Sequence, residues 1–412
     1  MQESAMYREF KQLNLPEIDR EIRQFWEEHK IFEKSVEQRP VENSWVFYEG
    51  PPSANGQPGI HHVMARAIKD LFCRYQTLKG KRVERKGGWD THGLPIELSV
   101  EKELGITKED IGKTISVDEY NRKCRETVMR YKSEWDDLTR KMGYWVDLEN
   151  PYITYENEYI ESVWWLLKQL YIKGLLYKGY TIQPYSPGAG TGLSTHELNM
   201  PGAYKEVTDT TVVALFKVVP NPSSAFLFDS PEEDVRIAAW TTTPWTLPSN
   251  TALTIGHNIS YAKIKTVNTY TQQQVSVVMA EALVSKWFGG KNQPEILQQV
   301  SGITAQQLEG IRFEQLLPFD NPIEPLNGAT DAFRVLVSDF VTTEDGTGVV
   351  HTAPSFGADD MKAAKANGIG TLTLVDKQGK FKGSVGEFSN RYVKNYKDDP
   401  NWTSVDVDIA VK

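Results

Sequence analysis

Apolar side chains recur at helical spacing from Pro16 to about Val36, at Ile18, Ile22, Phe25, Trp26, Ile31 and Phe32, which predicts an amphipathic helix. Trp45-Val-Phe-Tyr-Glu49 reads as a short buried strand. It runs into Gly50-Pro-Pro-Ser-Ala-Asn-Gly56, whose Pro and Gly content excludes a helix. From about Ile60 to Leu78 the pattern is helical again, with Val63, Ala67, Leu71 and Leu78 on or near one face, and Gly80 ends it. Lys81 to Arg85 is a second strand, followed by a turn at Gly87-Gly88-Trp89-Asp90. Strand, Gly-rich turn, helix and strand make a βαβ unit, so a nucleotide-binding α/β sheet is expected. Residues 117–141 and 157–175 read as further helices, the second made apolar by Trp164, Trp165, Leu166, Leu167 and Leu170. Composition shifts near Met200-Pro-Gly-Ala203. From Asp209 to Val267 the chain is rich in Val, Thr, Ile and Tyr, which predicts a β-rich domain running to the end, with short helices at 277–288 and 358–367. Two domains follow, 1–200 and 201–412, with no internal repeat or low-complexity tract.

A chain of 412 residues exceeds one ordinary domain. Hydrophobic residues at 40% and charged residues at 25% are ordinary soluble usage. A net charge of -9 and a pI near 5.5 weigh weakly against a nucleic-acid binder. Lys79, Lys81, Arg82, Arg85 and Lys86 form a local basic patch, or else a solvated turn and strand end. The two cysteines, Cys73 and Cys124, make no CxxC pair, which excludes the usual structural zinc site; two in so long a chain do not suggest a disulfide framework, and a reducing compartment fits. The opening MQESAMYREFKQLNLPE has no apolar core, and no run of 18 apolar residues occurs; neither signal peptide nor membrane span is expected, and the chain reads as cytoplasmic.

Handling ATP requires a polyphosphate site. No G-x-x-x-x-G-K-[ST] loop occurs, so this is not a P-loop protein. Gly59-Ile-His-His62 does open the helix at Ile60. A helix amino terminus offers free N–H groups and partial positive charge, and two histidines there could bind phosphate oxygens as charge develops. The plainer alternative is a pair of cap-region histidines with structural partners. Tyr48-Glu-Gly-Pro-Pro-Ser-Ala-Asn-Gly56, six residues before His62, resembles the opening signature of class I aminoacyl-tRNA synthetases. Gly88-Trp-Asp-Thr-His-Gly-Leu-Pro-Ile-Glu97 resembles the second signature of the isoleucine, valine and leucine subgroup. The resemblance implies a catalytic His62, with Gly59 and His62 binding the nucleotide. It also implies a substrate loop with Pro51, Pro52 and Asn55, and an Asp90 that pairs with the amino acid's α-ammonium. The family pattern His-Ile-Gly-His stands here as Gly59-Ile-His-His62, which leaves open whether His61 supplies the missing imidazole. His92 and Glu97 are weaker candidates, since a carboxylate near a helix start is expected anyway.

Two strings stand out in the β-rich domain. Trp240-Thr-Thr-Thr-Pro-Trp-Thr-Leu-Pro-Ser-Asn250 is a strand running into a hydroxyl-crowded Pro loop. Gly346-Thr-Gly-Val-Val-His351-Thr-Ala-Pro-Ser-Phe-Gly-Ala-Asp-Asp360 is a Gly turn, a short apolar strand, a histidine and an acidic pair. Such groups could line a small polar pocket that sets water against an ester, although a Thr-rich edge strand and a capping Asp explain the same residues. Nothing indicates a covalent nucleophile. The strings resemble the two motifs of the editing domain of isoleucyl-tRNA synthetases, with Thr243 and Trp245 where valyl and leucyl enzymes resemble Arg and an acid. The resemblance implies that Thr241, Thr242 and Thr243 bind the ester end and water. Trp245 and His351 shape the amino-acid pocket, Asn250 supports the loop and Asp360 pairs with the α-ammonium.

The fold so implied is α/β, an incomplete half of a Rossmann-like domain with a β-rich α+β editing domain inserted in it. The function implied is that of an isoleucine-tRNA ligase fragment: the parent enzyme charges tRNA(Ile) with isoleucine and the editing domain hydrolyses valyl-tRNA(Ile). The implied partners are tRNA(Ile), isoleucine, valine and ATP, the last with Mg2+ in the parent enzyme, in a monomer away from membranes. A valyl-tRNA synthetase fragment and a non-catalytic tRNA-binding module are the alternatives. No Lys-Met-Ser-Lys-Ser loop occurs, so the chain is expected to retain only the hydrolase activity. Gly179 to Gly188 carries no cysteine, so no zinc ligand is expected in this segment.

Overall fold

The computed structural model describes residues 12–319, 323–395 and 400–412. The stretch read for a signal peptide lies outside them up to residue 11. The chain divides into two compact units between Lys178 and Gly179.

The first unit runs α1 (Leu15–Glu28), α2 (Ile31–Glu37), β1 (Ser44–Tyr48), α3 (Ile60–Leu78), β2 (Arg82–Trp89), α4 (Leu94–Leu104), α5 (Val117–Val128), α6 (Lys132–Lys141), β3 (Asp147–Ile153) and α7 (Asn157–Ile172). Its sheet has the order β1-β2-β3 with both pairings parallel, Ser44 opposite Arg82 and Tyr48 opposite Lys86. The βαβ unit is therefore present, with α3 spanning the expected residues. Several expectations need correcting; β1, read as a buried strand, holds no buried residue, and its Val46 and Tyr48 are exposed. The first helix is two, because Lys30 adopts a left-handed backbone (φ 49°) that breaks the pattern. Residues 117–141 are two helices, with a break at 129–131. Gly87-Gly88-Trp89 is strand, not turn: a Cβ on Gly87 would lie 2.5 Å from the Asp147 carbonyl, and one on Gly88 2.3 Å from the Tyr152 ring. These glycines let β3 approach β2 where the register shifts. The face of α3 turned inward carries Arg66, Cys73 and Thr77, while Leu71 and Leu78 are exposed. A polar network, described below, occupies the place expected for an apolar seam. Arg85 leaves the basic patch as well; it is 2% exposed, donates to Thr77 Oγ1 at 2.7 Å, and lies over the Phe32 and Trp145 rings.

The second unit runs β4 (Tyr185–Ser186), β5 (Thr191–Gly192), α8 (Thr195–Leu198), β6 (Val212–Lys217), β7 (Val235–Thr241), β8 (Ala252–Gly256), β9 (Tyr261–Val267), β10 (Gln274–Ala280), α9 (Val284–Trp287), β11 (Gln298–Ile303), α10 (Ala305–Leu308), β12 (Arg334–Ser338), β13 (Val349–Thr352), α11 (Ala358–Asn367) and α12 (Val405–Val411). An eight-stranded sheet has the order β11-β9-β10-β7-β13-β8-β12, with β6 also on β7. One edge of β7 serves two partners: Val235 to Ile237 pair with β10, and Trp240 pairs with Val350 of β13. A sheet that splits along one strand has to curl. Phe216, Ile237, Leu253, Ile255, Ile264 and Met279 fill the core, each at most 1% exposed. The helix expected at 277–288 is β10 as far as Ala280, since both of its edges are paired in the sheet. Sheet pairing overrides helical propensity at Met279 and Ala280, and helix follows only from Glu281, as a 3₁₀ turn to Leu283 and then α9. The helix expected at 358–367 is α11.

Candidate functional site

The first-signature loop follows β1 and is tied down from three sides. Asp90 N–H donates to the Pro52 carbonyl (3.0 Å), Tyr131 N–H to that of Ala54 (3.0 Å), and the Trp135 indole to that of Gly56 (2.8 Å). The two signature strings therefore meet at Pro52 and Asp90. At the start of α3, Gly59 N–H donates to His62 Nδ1 at 2.9 Å. Nδ1 is then the acceptor, and Nε2 carries the proton of a neutral ring. Burial, then His61 and Arg66, lowers the pKa of His62, which keeps it neutral at pH 7. Its ring lies 4.6 Å from Trp135 and 3.8 Å from the exposed His61 ring, which folds back over Gly59.

A cavity of about 350 Å³ opens here, with Pro52, Asn55 and His62 among its walls; Pro51, Gly59, His61 and Asp90 lie outside its lining. Sequence reasoning missed its charged floor. Glu49 is 3% exposed, accepts from Lys69 Nζ at 2.7 Å and from the Tyr144 hydroxyl, and faces Arg66. Arg66 in turn donates to Thr139 and stacks over Trp135. Glu49 stood inside the quoted string, but nothing local announced that it would be buried against two cations. Asp90 is exposed and accepts weakly from His92 N–H at 3.4 Å. His92 Nδ1 meets the Thr154 hydroxyl at 3.0 Å, and Glu97 pairs with Lys108 at 3.2 Å, so both have structural partners. Cys73 and Cys124 are free thiols, and burial pushes Cys73 up to about 11. Among the described residues no helix is long and apolar enough to cross a membrane.

In the second unit, β7 ends at Thr241 and the chain turns through a 3₁₀ helix at Pro244–Ser249 before entering β8. Because β13 lies between β7 and β8, with His351 opposite Leu253, its histidine reaches that turn. Thr243 N–H donates to Thr241 Oγ1 (3.1 Å), the two hydroxyls lie 3.3 Å apart, and Thr243 Oγ1 lies 3.4 Å from Thr246 Oγ1. Thr246 Oγ1 meets His351 Nε2 at 2.9 Å, and the Asn250 amide nitrogen meets His351 Nδ1 at 2.9 Å while donating to the Ala252 carbonyl at 2.8 Å. An amide nitrogen has only hydrogens to offer, so Nδ1 accepts and Nε2–H donates to Thr246. His351 is thus held neutral with both nitrogens engaged, and burial pushes its pKa down to about 4. Such a ring orients neighbours; it has no free lone pair with which to take a proton.

Two residues on from His351, Ala353 N–H donates to Asp360 Oδ2 at 2.9 Å, which brings α11 to the end of β13. Burial raises the Asp360 pKa, against the Ala353 hydrogen bond. Trp245 packs edge-on against Phe356 at 4.9 Å, and Thr242 is exposed. Strings 240–250 and 346–360 therefore form one neighbourhood, linked residue by residue from Thr241 to Asp360. Sequence reasoning missed Thr246, Phe356 and Asp406, whose carboxylate accepts from Trp245 N–H at 2.8 Å. A hydroxyl three residues past Thr243 in a Pro-started turn was the available signal for Thr246; none existed for Asp406.

The parallel βαβ half-sheet with its signature loops, and the match of residues 21–402 to the model for class I tRNA synthetases (I, L, M and V), define the class. Isoleucine–tRNA ligase of Cytophaga hutchinsonii is 56% identical over 409 residues, covering 93% of this chain and 35% of that protein. Those of Porphyromonas gingivalis and Bacteroides fragilis are 53% and 55% identical, covering 99% and 93% of this chain and 36% and 34% of theirs. The chain belongs to the isoleucine–tRNA ligase family. It spans about a third of the length of these relatives. Among solved structures, a LeuRS–tRNA–LeuAMS complex from Agrobacterium radiobacter K84 aligns at 17% identity with a TM-score of 0.36, over 86% of this chain and 44% of that one.

Proposed function

We propose that the chain is part of an isoleucine–tRNA ligase in which the first unit contributes to the site for isoleucine and ATP, and the second hydrolyses valyl-tRNA(Ile). Family membership supports the parent reaction, with tRNA(Ile), isoleucine and ATP (as its Mg2+ complex) as partners. The neutral Nε2–H of His62 could donate to a phosphate oxygen, with Lys69 and Arg66 supplying positive charge beside it. Asp90, next to Pro52, would pair with the α-ammonium of isoleucine.

The hydrolase reading rests on one observation: three threonine hydroxyls form a continuous hydrogen-bonded line to a neutral histidine beside a half-buried carboxylate. The hydroxyls of Thr241, Thr242 and Thr243 would fix the ester and its attacking water. His351, held by Asn250, would orient Thr246 and wall the amino-acid pocket with Trp245. Asp360 would ionise against the α-ammonium of valine, since a nearby cation offsets the cost of burying its charge. A second site is needed because one methylene is worth only ~1–3 kcal/mol in an apolar pocket, a limit for which the isoleucyl enzyme is itself the standard illustration. The test is deacylation of valyl-tRNA(Ile) and isoleucyl-tRNA(Ile) by this chain. Valine should be released faster, and Asp360→Ala should cost at least about tenfold. Equal rates for Asp360→Ala and wild type would remove the assignment. Isoleucine-dependent exchange of pyrophosphate into ATP is expected to be absent, since the sequence holds no Lys-Met-Ser-Lys-Ser loop.

A further inference from the structure

Asp406 lies on α12, 161 residues along the chain from the turn that it touches. It is 1% exposed and both carboxylate oxygens are used. Oδ1 accepts the Trp245 backbone N–H at 2.8 Å, and Oδ2 accepts from Lys394 Nζ at 2.6 Å. Lys394 also pairs with Asp209 at 2.6 Å, so the carboxylate is buried with its counter-ion. No catalytic role assigned above uses any of these groups.

Their place at the turn gives them a meaning. Thr243 is the cap residue of the 3₁₀ helix at Pro244–Ser249. A threonine there ordinarily turns its hydroxyl onto one of the first free N–H groups of the helix. Here Pro244 has no N–H, Thr246 N–H is taken by the Thr243 carbonyl (3.0 Å), and Trp245 N–H is taken by Asp406. The Thr243 side chain makes no capping bond and instead joins the line between Thr241 and Thr246.

We propose that Asp406 is a positioning residue for the threonine site: it caps the turn from outside and so frees the Thr243 hydroxyl for the pocket. The kinetic part of this inference rests on the hydrolase reading; the conformational part does not. Without Asp406 the exposed Trp245 N–H recruits Thr243 as an ordinary cap, and the hydroxyl line is cut at its centre. Asparagine retains an acceptor for Trp245 and should preserve the arrangement, whereas alanine should not.

The test compares kcat and KM for valyl-tRNA(Ile) deacylation in the wild-type chain, Asp406→Asn, Asp406→Ala, Thr243→Val and the Asp406→Ala/Thr243→Val double variant. A parallel crystal structure of Asp406→Ala reads the Thr243 side chain. Asp406→Ala is expected to lower kcat about tenfold or more, as misplaced groups do, with KM little changed and the asparagine variant near wild type. In the Thr243→Val background the same change should cost nothing further, because the two act as one unit. An unchanged kcat in Asp406→Ala, or an equal loss in both backgrounds, overturns the inference. Should the alanine variant fail to fold, the asparagine variant decides: it keeps the Trp245 acceptor and leaves no unpaired buried carboxylate, so kcat should hold, and a tenfold loss there overturns the inference too. If the wild-type chain releases no valine, the hydrolase reading fails, and the crystal structure alone decides. Thr243 turned onto Trp245 N–H supports the inference, and Thr243 unmoved overturns it.

Discussion

Lowering the pH should loosen the second unit through His351. The ring is buried, its Nδ1 faces the Asn250 N–H, and its Nε2–H already serves Thr246, so a second proton has no acceptor. Its folded pKa of about 4 lies below the ordinary 6.5. Between those two values the unfolded chain binds a proton that the folded chain refuses, so stability rises with pH across the window and falls on acidification. The full difference, about 2.5 pKa units at 1.36 kcal/mol each, is about 3 kcal/mol, of which about 2 kcal/mol is gone by pH 5. For a unit running from Gly179 to Lys412, 2 kcal/mol corresponds to a Tm shift of roughly 4–8 °C. The assay is thermal melting at pH 7 and pH 5 of the wild-type chain and of His351→Gln. The variant melts lower at pH 7 but lacks the titration. Asp360, whose raised pKa acts in the opposite sense, and His62, lowered like His351, are common to both chains and cancel in the comparison. Wild type should therefore lose several degrees more than the variant. Equal losses would refute the assignment of a neutral, doubly engaged ring.

Gly88→Ala should destabilise the first unit by about 1–3 kcal/mol by overpacking, because the new methyl group would meet a Tyr152 ring that is held by a hydrogen bond to the Glu49 carbonyl and by stacking on Tyr159. A thermal melt checks it, and an unchanged midpoint contradicts the close approach. Glu49→Leu strands Lys69 and Arg66 beside an apolar side chain and should cost about 3 kcal/mol in urea denaturation, as breaking a buried ion pair does. A loss of a few tenths would mean that the cations reach solvent.

Local signals in the chain were strong where the backbone alone decides. The helix at 60–78 lies between an N-cap glycine and Gly80 at φ 83°, and α11 runs from Gly357 to Gly368 at φ 65°, because capping and helical periodicity act within a few residues. They failed where distant strands decide. Gly87-Gly88 carries turn chemistry, yet β3 draws it into the sheet. Met279 to Leu283 favours a helix, yet β9 pairs with Met279 and Ala280 and holds them in the sheet. The site divides the same way. Threonines two residues apart, a histidine after a Gly turn and an acidic pair were all legible in the strings 240–250 and 346–360. The resemblance of those strings supplied their meaning.

By itself the sequence determined the family and the βαβ unit, and it singled out the polar strings 240–250 and 346–360. Only the tertiary structure decided the tautomer and neutrality of His351, the burial of Glu49 between cations and the capping of Trp245 by Asp406. Protonation state and burial are set by groups that fold brings within 3 Å, and those groups stand up to 161 residues apart in the chain.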